Sequence, residues 1–203
     1  MRKFVYTGMK TQKVLGLILA GGQGSRMGGA DKGLLEYLGE PLISHVIRRL
    51  SPQCDDIIIS ANRNLESYQR LGYRIISDEA RNQFHGPLAG ICAGIDCAKK
   101  TNYSSLLVSS CDTPHLPMSY AEKMTSSIYD TAACSAVAHD CDRQQNIHCL
   151  LMSSAWDSLL DFYASGGRAM HQWHSQNCSK QVKFYEEVQA FKNINSLSDI
   201  GKK

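Results

Sequence analysis

The sequence predicts an α/β fold of three layers, a mostly parallel sheet with helices on both faces. Three observations predict it. Short apolar runs alternate with helix-like stretches through the first half of the chain. The runs are continuously apolar, as in strands buried on both sides. The first run ends in a glycine-rich loop, at the strand end where such sheets place their ligands. A βαβα succession of this kind uses right-handed crossovers, which cover both faces of the sheet with helices.

The elements follow in order. Val14–Ala20 (VLGLILA) reads as the first buried strand. Pro41–Leu50 opens on proline and spaces its apolar residues by three to four, as a helix does. Asp56–Ala61 is a second strand, Leu65–Leu71 a short helix stopped by Gly72, and Arg74–Ser77 a third strand. Pro87–Lys99 is a helix with small residues on one side, and Ser104–Ser109 is a fourth strand. Met118–Asp130 is a helix; Ala132–Ala138 and Ile147–Met152 are strands. Ala155–Ala164 and Arg168–Gln176 are helices, and Val182–Tyr185 with Phe191–Ile194 add edge strands. Residues 1–13 read as a polar, basic, flexible leader, with Met9 as an alternative start, and 14–203 as one domain.

Composition narrows the function. A chain of 203 residues, 43% hydrophobic and 20% charged, is long enough to bury a core unaided. The net charge of +3 comes from scattered basic residues with no dense block, which argues against a nucleic-acid binder. No apolar run approaches the roughly 20 residues needed to cross a membrane. The eight cysteines contain no CxxC pair, and several sit in apolar runs, so they read as reduced core thiols. A cytoplasmic location follows from that reading.

The loop after the first strand, Gly21-Gly22-Gln23-Gly24-Ser25-Arg26-Met27-Gly28-Gly29-Ala30-Asp31-Lys32-Gly33, carries the chemistry. Glycines let backbone N–H groups close on an anion. Arg26 offers a forked phosphate contact and Lys32 a mobile point charge. The loop is neither a P-loop, since Lys32 stands between Asp31 and Gly33, nor a dinucleotide fingerprint, since Met27 stands where a glycine is required. Asp112, in Cys111-Asp112-Thr113-Pro114, follows the fourth strand and faces the same strand ends. Its carboxylate suits Mg²⁺ held between protein and triphosphate, and equally suits a turn or helix cap.

LAGGQGSRMGGADKGLL closely resembles the signature loop of the molybdenum cofactor guanylyltransferases, the MobA family, within the wider nucleotidyltransferases. The resemblance runs from about Val14 to about Asp199 and is strongest from Leu17 to Leu35. It implies a Rossmann-like nucleotidyltransferase fold. It also implies nucleotide contacts at Leu19, Ala20, Gly21, Gly22 and Lys32, with Mg²⁺ on Asp112. Asp78, after the third strand, resembles the family's nucleotide-contacting aspartate, though a loop-start aspartate has the same setting. Gly86-Pro87-Leu88-Ala89-Gly90 matches a G-P-L-A-G element, and read alone is a helix start with small packing residues. Ser60 replaces an asparagine that contacts the nucleotide in the family, and a hydroxyl cannot make an amide's paired contacts. Asn146 replaces a proline before His148, which is a pterin-side candidate or a core histidine. Arg168 after Gly166-Gly167 resembles a basic element near the pterin phosphate, and a solvated helix-start arginine fits as well. Asn193 and Asn195 resemble a late N-x-N-[ST] element that meets pterin or phosphate; Asn195 also suits a helix cap.

The resemblance implies transfer of GMP from GTP to the terminal phosphate of molybdenum-molybdopterin, with release of pyrophosphate. Arg26, Lys32 and Asp112 are then the catalytic group. Further partners expected are a metal-insertion protein and molybdoenzyme chaperones, with the chain itself a monomer or weak homo-oligomer. Two alternatives stand beside this: a cytidylyltransferase for the same pterin, disfavoured by Gly21-Gly22, and a non-catalytic GTP-binding cofactor-delivery protein.

Overall fold

A computed structural model describes residues 13–20, 31–77, 86–129, 131–187 and 189–194. Most of the leader, together with Gly21, Gly22, Arg26, Asp78 and Asn195, lies outside the described residues.

Nine strands and six helices are described. The strands are β1 (Val14–Leu19), β2 (Glu36–Tyr37), β3 (Glu40–Pro41), β4 (Asp56–Ser60), β5 (Arg74–Ile76), β6 (Ser105–Ser110), β7 (Ser135–His139), β8 (Gln144–Met152) and β9 (Lys180–Lys183). The helices are α1 (Leu42–Leu50), α2 (Leu65–Gln69), α3 (Pro87–Lys100), α4 (Tyr120–Ile128), α5 (Trp156–Ala164) and α6 (Met170–Gln176). Seven strands form one sheet in the order β5-β4-β1-β6-β8-β7-β9. Its β5-β4-β1-β6 half is parallel, β8 runs antiparallel to both neighbours, and β9 is parallel to β7. This is the mostly parallel sheet expected, with the one reversal where β7 and β8 join by a short connection.

Each face of the sheet is buried under its own helices. Ile18, Ile57, Ile59 and Leu107 pack with Ile43, Val46 and Leu50 of α1, Tyr68 of α2 and Met124 of α4. Leu15, Leu17, Ile58 and Leu106 point the other way, to α3, Leu159 of α5 and Trp173 of α6. The side chains of successive strand residues alternate between these two cores because the strand period is two. Close approach of α3 needs glycine. A Cβ on Gly94 would stand 2.7 Å from Leu17 Cδ2, and one on Gly90 would stand 2.7 Å from Ser60 Oγ.

Four departures from the sequence reading have local causes. Pro41 belongs to β3 and caps α1 rather than opening it, because Leu38 and Gly39 turn the chain at positive φ into a small β2–β3 hairpin. Strand β8 starts earlier than expected, at Gln144, and its register against β7 shifts after Val137. Helix α6 starts at Met170 rather than Arg168, because Arg168 is held at the end of α5. Phe191–Ile194 is not a strand: bonds from Ala190 N to Glu187 O and from Lys192 N to Gln189 O make turns there, and Phe191 is drawn into the core.

Candidate functional site

The chain steps from β1 to β4 to β5 in one direction and then crosses to β6 on the far side of β1. Strand order therefore reverses at β1, and sheets of this kind take their ligands beyond the carboxyl ends of the strands at such a reversal, here β1 and β6. Register puts Leu19 beside both Ser60 and Ser110. Ala20 N donates to Ser60 O at 2.8 Å, and Cys111 N donates to Leu19 O at 3.0 Å. Leu19, Ala20, Ser60 and Asp112 are thus brought to one row of strand ends, as the sequence reading required.

Asp112 is the chemical centre of that row. It is 5% exposed, and a buried carboxylate is costly unless it is paired. Ser110 Oγ donates to its Oδ1 at 2.5 Å, and Lys32 Nζ approaches its Oδ2 at 3.4 Å. The turn carrying it is closed by Thr113, whose hydroxyl donates to Ser110 O at 3.0 Å. Lys32 is delivered by a short 3-10 turn, Lys32–Leu34, immediately after the glycine loop. Both residues predicted to share the phosphates and the metal therefore meet across 80 positions of sequence. The amino end of α3 is turned in by Gly86, at φ +78, with Pro87 as its first helical residue, and Ala89 N closes onto Gly86 O at 3.3 Å.

A metal test follows from the donor set. Among the described residues no group of three or more His, Cys, Asp or Glu side chains converges. One carboxylate is what Mg²⁺ takes when phosphates and water fill its other positions. Asp112 meets that requirement, and carboxylate lone pairs remain after its Ser110 and Lys32 contacts. Neighbouring Cys111 offers no alternative chemistry, since burial pushes its thiol well above its ordinary range.

The pterin-side candidates fall in three different settings. His148 is 3% exposed, packed against Phe191 with ring centroids 4.9 Å apart and edge-on to Tyr120. Burial lowers its pKa to about 3, so at neutral pH it offers hydrogen bonding and no charge. Arg168 is exposed; it donates to Tyr163 O at 2.9 Å and Gly167 O at 2.7 Å and lies over the Tyr163 ring, which makes it a cap on the carboxyl end of α5. Asn193 is exposed beside Ile194, whose N–H donates to Asp112 O at 2.9 Å, so the late segment does reach the Asp112 turn. The strand alternation expected of Asn193 does not apply, because no strand forms there.

Sequence reasoning missed the supports. Ser110, two residues before Asp112, holds its carboxylate. Asp31 is buried and accepts from Tyr68 OH at 2.5 Å and Asn64 Nδ2 at 3.0 Å, with Arg63 Nε at 3.6 Å. The adjacent acid and base in Asp31-Lys32 were the visible signal that one of the pair has its own partner.

Comparison with known proteins gives the family and the fold. A family model described as the MobA-like NTP transferase domain matches residues 16–178. The molybdenum cofactor guanylyltransferase of Shewanella putrefaciens is 40% identical over 183 residues, covering 90% of this chain and 92% of the relative. That of Haemophilus influenzae is 38% identical over 192 residues, covering 95% of this chain and 98% of its own. The crystal structure of molybdopterin-guanine dinucleotide biosynthesis protein A from Archaeoglobus fulgidus superposes with a TM-score of 0.70 at 21% identity, covering 92% of this chain and 94% of that one. At that identity it supports the fold, while the match to residues 16–178 and the relatives near 40% identity settle descent: the chain belongs to the family of MobA-like NTP transferase domains.

Proposed function

We propose that this protein transfers GMP from GTP to the terminal phosphate of molybdenum-molybdopterin, forming the guanine dinucleotide form of the cofactor and releasing pyrophosphate. The observation that carries the reading is the meeting of Lys32 and Asp112 at the strand-order reversal, directly after the glycine loop. Relatives named guanylyltransferases support the base and the pterin.

The attacking phosphate oxygen is already anionic, so no strong base is needed. It attacks the α-phosphorus of GTP in line, the bond to the bridging oxygen breaks, and pyrophosphate leaves with that electron pair. The protein's task is to hold two polyanions together and offset their repulsion. In this reading Lys32 places an ammonium on the phosphates. The turn closed by Thr113 fixes Asp112, and Ser110 orients its carboxylate. Mg²⁺ held by Asp112 would neutralise charge on the triphosphate. The glycine loop, with Gly21, Gly22 and Arg26, supplies further phosphate donors, and Asp78 and Ser60 contact the nucleoside. No helix among the described residues is long and apolar enough to cross a membrane, which fits a reaction between dissolved substrates.

The test is pyrophosphate release with Mg²⁺ and molybdenum-loaded molybdopterin, with GTP and CTP in parallel. Release with GTP alone, lost on chelating Mg²⁺, is expected. Asp112→Asn keeps the shape of the turn and should lower kcat by at least about 10²-fold. Full activity in that variant would remove the metal from Asp112. Release with CTP would replace the guanylyl reading with the cytidylyl one.

A further inference from the structure

The acidic residue of the loop's final Asp31-Lys32-Gly33 has its own partners, apart from the Lys32–Asp112 pair. Its carboxylate is buried and turned onto the segment that follows β4. Tyr68 OH donates to Oδ1 at 2.5 Å, Asn64 Nδ2 donates to Oδ2 at 3.0 Å, and Arg63 Nε stands 3.6 Å from Oδ2. Tyr68 is itself fully buried, so its hydroxyl depends on this partner. Asn64 takes a left-handed conformation, φ 51, which an asparagine tolerates and most residues do not. That bend starts α2 where its side chain meets Asp31.

The same contact surface fixes the next two residues. Leu34 N donates to Asp31 O at 3.1 Å and Leu35 N to Lys32 O at 3.2 Å, closing the turn that carries Lys32. Gly33 is pressed between α2 and the Asp112 turn: a Cβ there would stand 2.6 Å from Tyr68 Oη and 3.3 Å from Cys111 Sγ. Tyr68 thus grips the Lys32 backbone from both neighbours, Asp31 before it and Gly33 after it. Cys111, immediately before Asp112, forms the other jaw.

We infer that Asp31 is a positioning residue: the clamp of Arg63, Asn64 and Tyr68 on its carboxylate anchors the end of the glycine loop and sets the reach of Lys32 toward Asp112 and the phosphates. The inference rests on the phosphate role of Lys32 proposed above and assigns a job to Arg63, Asn64 and Tyr68, which the proposed nucleotide contacts leave out. A lysine has four flexible side-chain bonds, so a mobile backbone beneath it would spread its ammonium over many positions. Anchoring the backbone through a charged, buried acceptor makes that loss once, on folding.

A double-mutant cycle tests it. Asp31→Asn is nearly isosteric but turns an amide N–H₂ toward donors on Asn64 and Arg63. Tyr68→Phe is the second variant, removing one clamp bond and little volume. Each is made in the wild-type and Lys32→Ala backgrounds, with folding verified by urea denaturation. GTP affinity is read by calorimetry without pterin, and kcat/KM by pyrophosphate release. Asp31→Asn should lower kcat/KM about tenfold, and GTP affinity in the same direction, in the wild-type background. With Lys32→Ala already present it should change either by less than about twofold. Equal losses in both backgrounds would overturn the inference, because Asp31 would then act independently of Lys32. So would an Asp31→Asn protein with unchanged affinity and kcat/KM. Wild-type protein that binds GTP but releases no pyrophosphate would sink the transfer reading alone, since the affinity cycle still reports the coupling.

Discussion

Asp112 and Lys32 carry opposite charges in a partly enclosed place, with side-chain exposures of 8% and 33%. An ion pair of this kind is poorly explained by stability, since desolvating the acid offsets much of the attraction. In the proposed reaction it is a site held ready, in which the lysine would relieve the carboxylate until phosphates and cation arrive. Lys32→Ala leaves the buried Asp112 carboxylate without its ammonium, with Ser110 still bonded to it, so it should lower the urea midpoint and also lower kcat/KM for GTP by about 10²-fold, the usual effect of losing one charge-stabilising donor. A variant with full kcat/KM would show that the ammonium serves only Asp112. Both residues were legible from the chain, because a lysine after a glycine loop and an aspartate after a buried strand are placed by connectivity. Ser110 and the Asp31 clamp were not legible. Their partners lie on other turns, and a short serine or an ordinary asparagine announces nothing by itself.

At the scale of elements, the parallel half of the sheet could be read from β1, β4, β5 and β6 because each is a continuous apolar run with a helix behind it. The second half resisted reading for a physical reason. Strand β8 is half-exposed over its first residues and loses register against β7, so its pattern is mixed there. Phe191 and Ile194 looked like strand residues but are single anchors of a turn-rich segment. The glycines of α3 yield a prediction that separates site from scaffold. Gly90→Ala would drive a methyl against Ser60 Oγ at 2.7 Å and Leu19 Cδ2 at 2.9 Å, the two strand ends that face the nucleotide in our reading. Gly94→Ala would instead press on Leu17 Cδ2 at 2.7 Å, deeper under the sheet. In both, overlap costing about 1–3 kcal/mol is partly offset by about 1 kcal/mol of improved helix propensity. Urea denaturation should thus show similar modest losses. GTP KM should rise several-fold for Gly90→Ala alone, and equal KM values in the two variants would mean that α3 moves as a rigid body.

The late segment returns over the sheet and ties to it, and part of the protein's acid sensitivity should originate there. Ile194 bonds to the Asp112 carbonyl, and Phe191 joins Tyr120, Phe184 and His148 in one aromatic cluster. Within that cluster the protons can be assigned. The Thr113 hydroxyl donates to Ser110 O, which leaves its oxygen to accept from His148 Nε2 at 3.2 Å. His148 Nδ1 is then a bare acceptor, and it has no hydrogen-bond partner among the described residues. Protonating it would bury a cation; burial accordingly lowers its pKa to about 3, against a weaker opposing pull from Asp140. His174 is shifted in the same direction by burial, despite its bond to Asn146 O. A lowered histidine pKa favours the native state while the ring is neutral in both states. As pH falls below the unfolded value near 6.5, the unfolded chain binds protons that the native chain refuses, so stability declines until the folded pKa is reached. Urea midpoints should therefore fall steadily from pH 7.5 to pH 5, in a range above the ordinary carboxylate titrations. Each such histidine contributes up to about 1.4 kcal/mol per pH unit to that slope. His148→Gln keeps an N–H for Thr113 and does not titrate, so its slope should be shallower by about one histidine's share. An unchanged slope would mean that the ring takes up its proton inside the fold, and that the aromatic cluster opens far more readily than its packing implies.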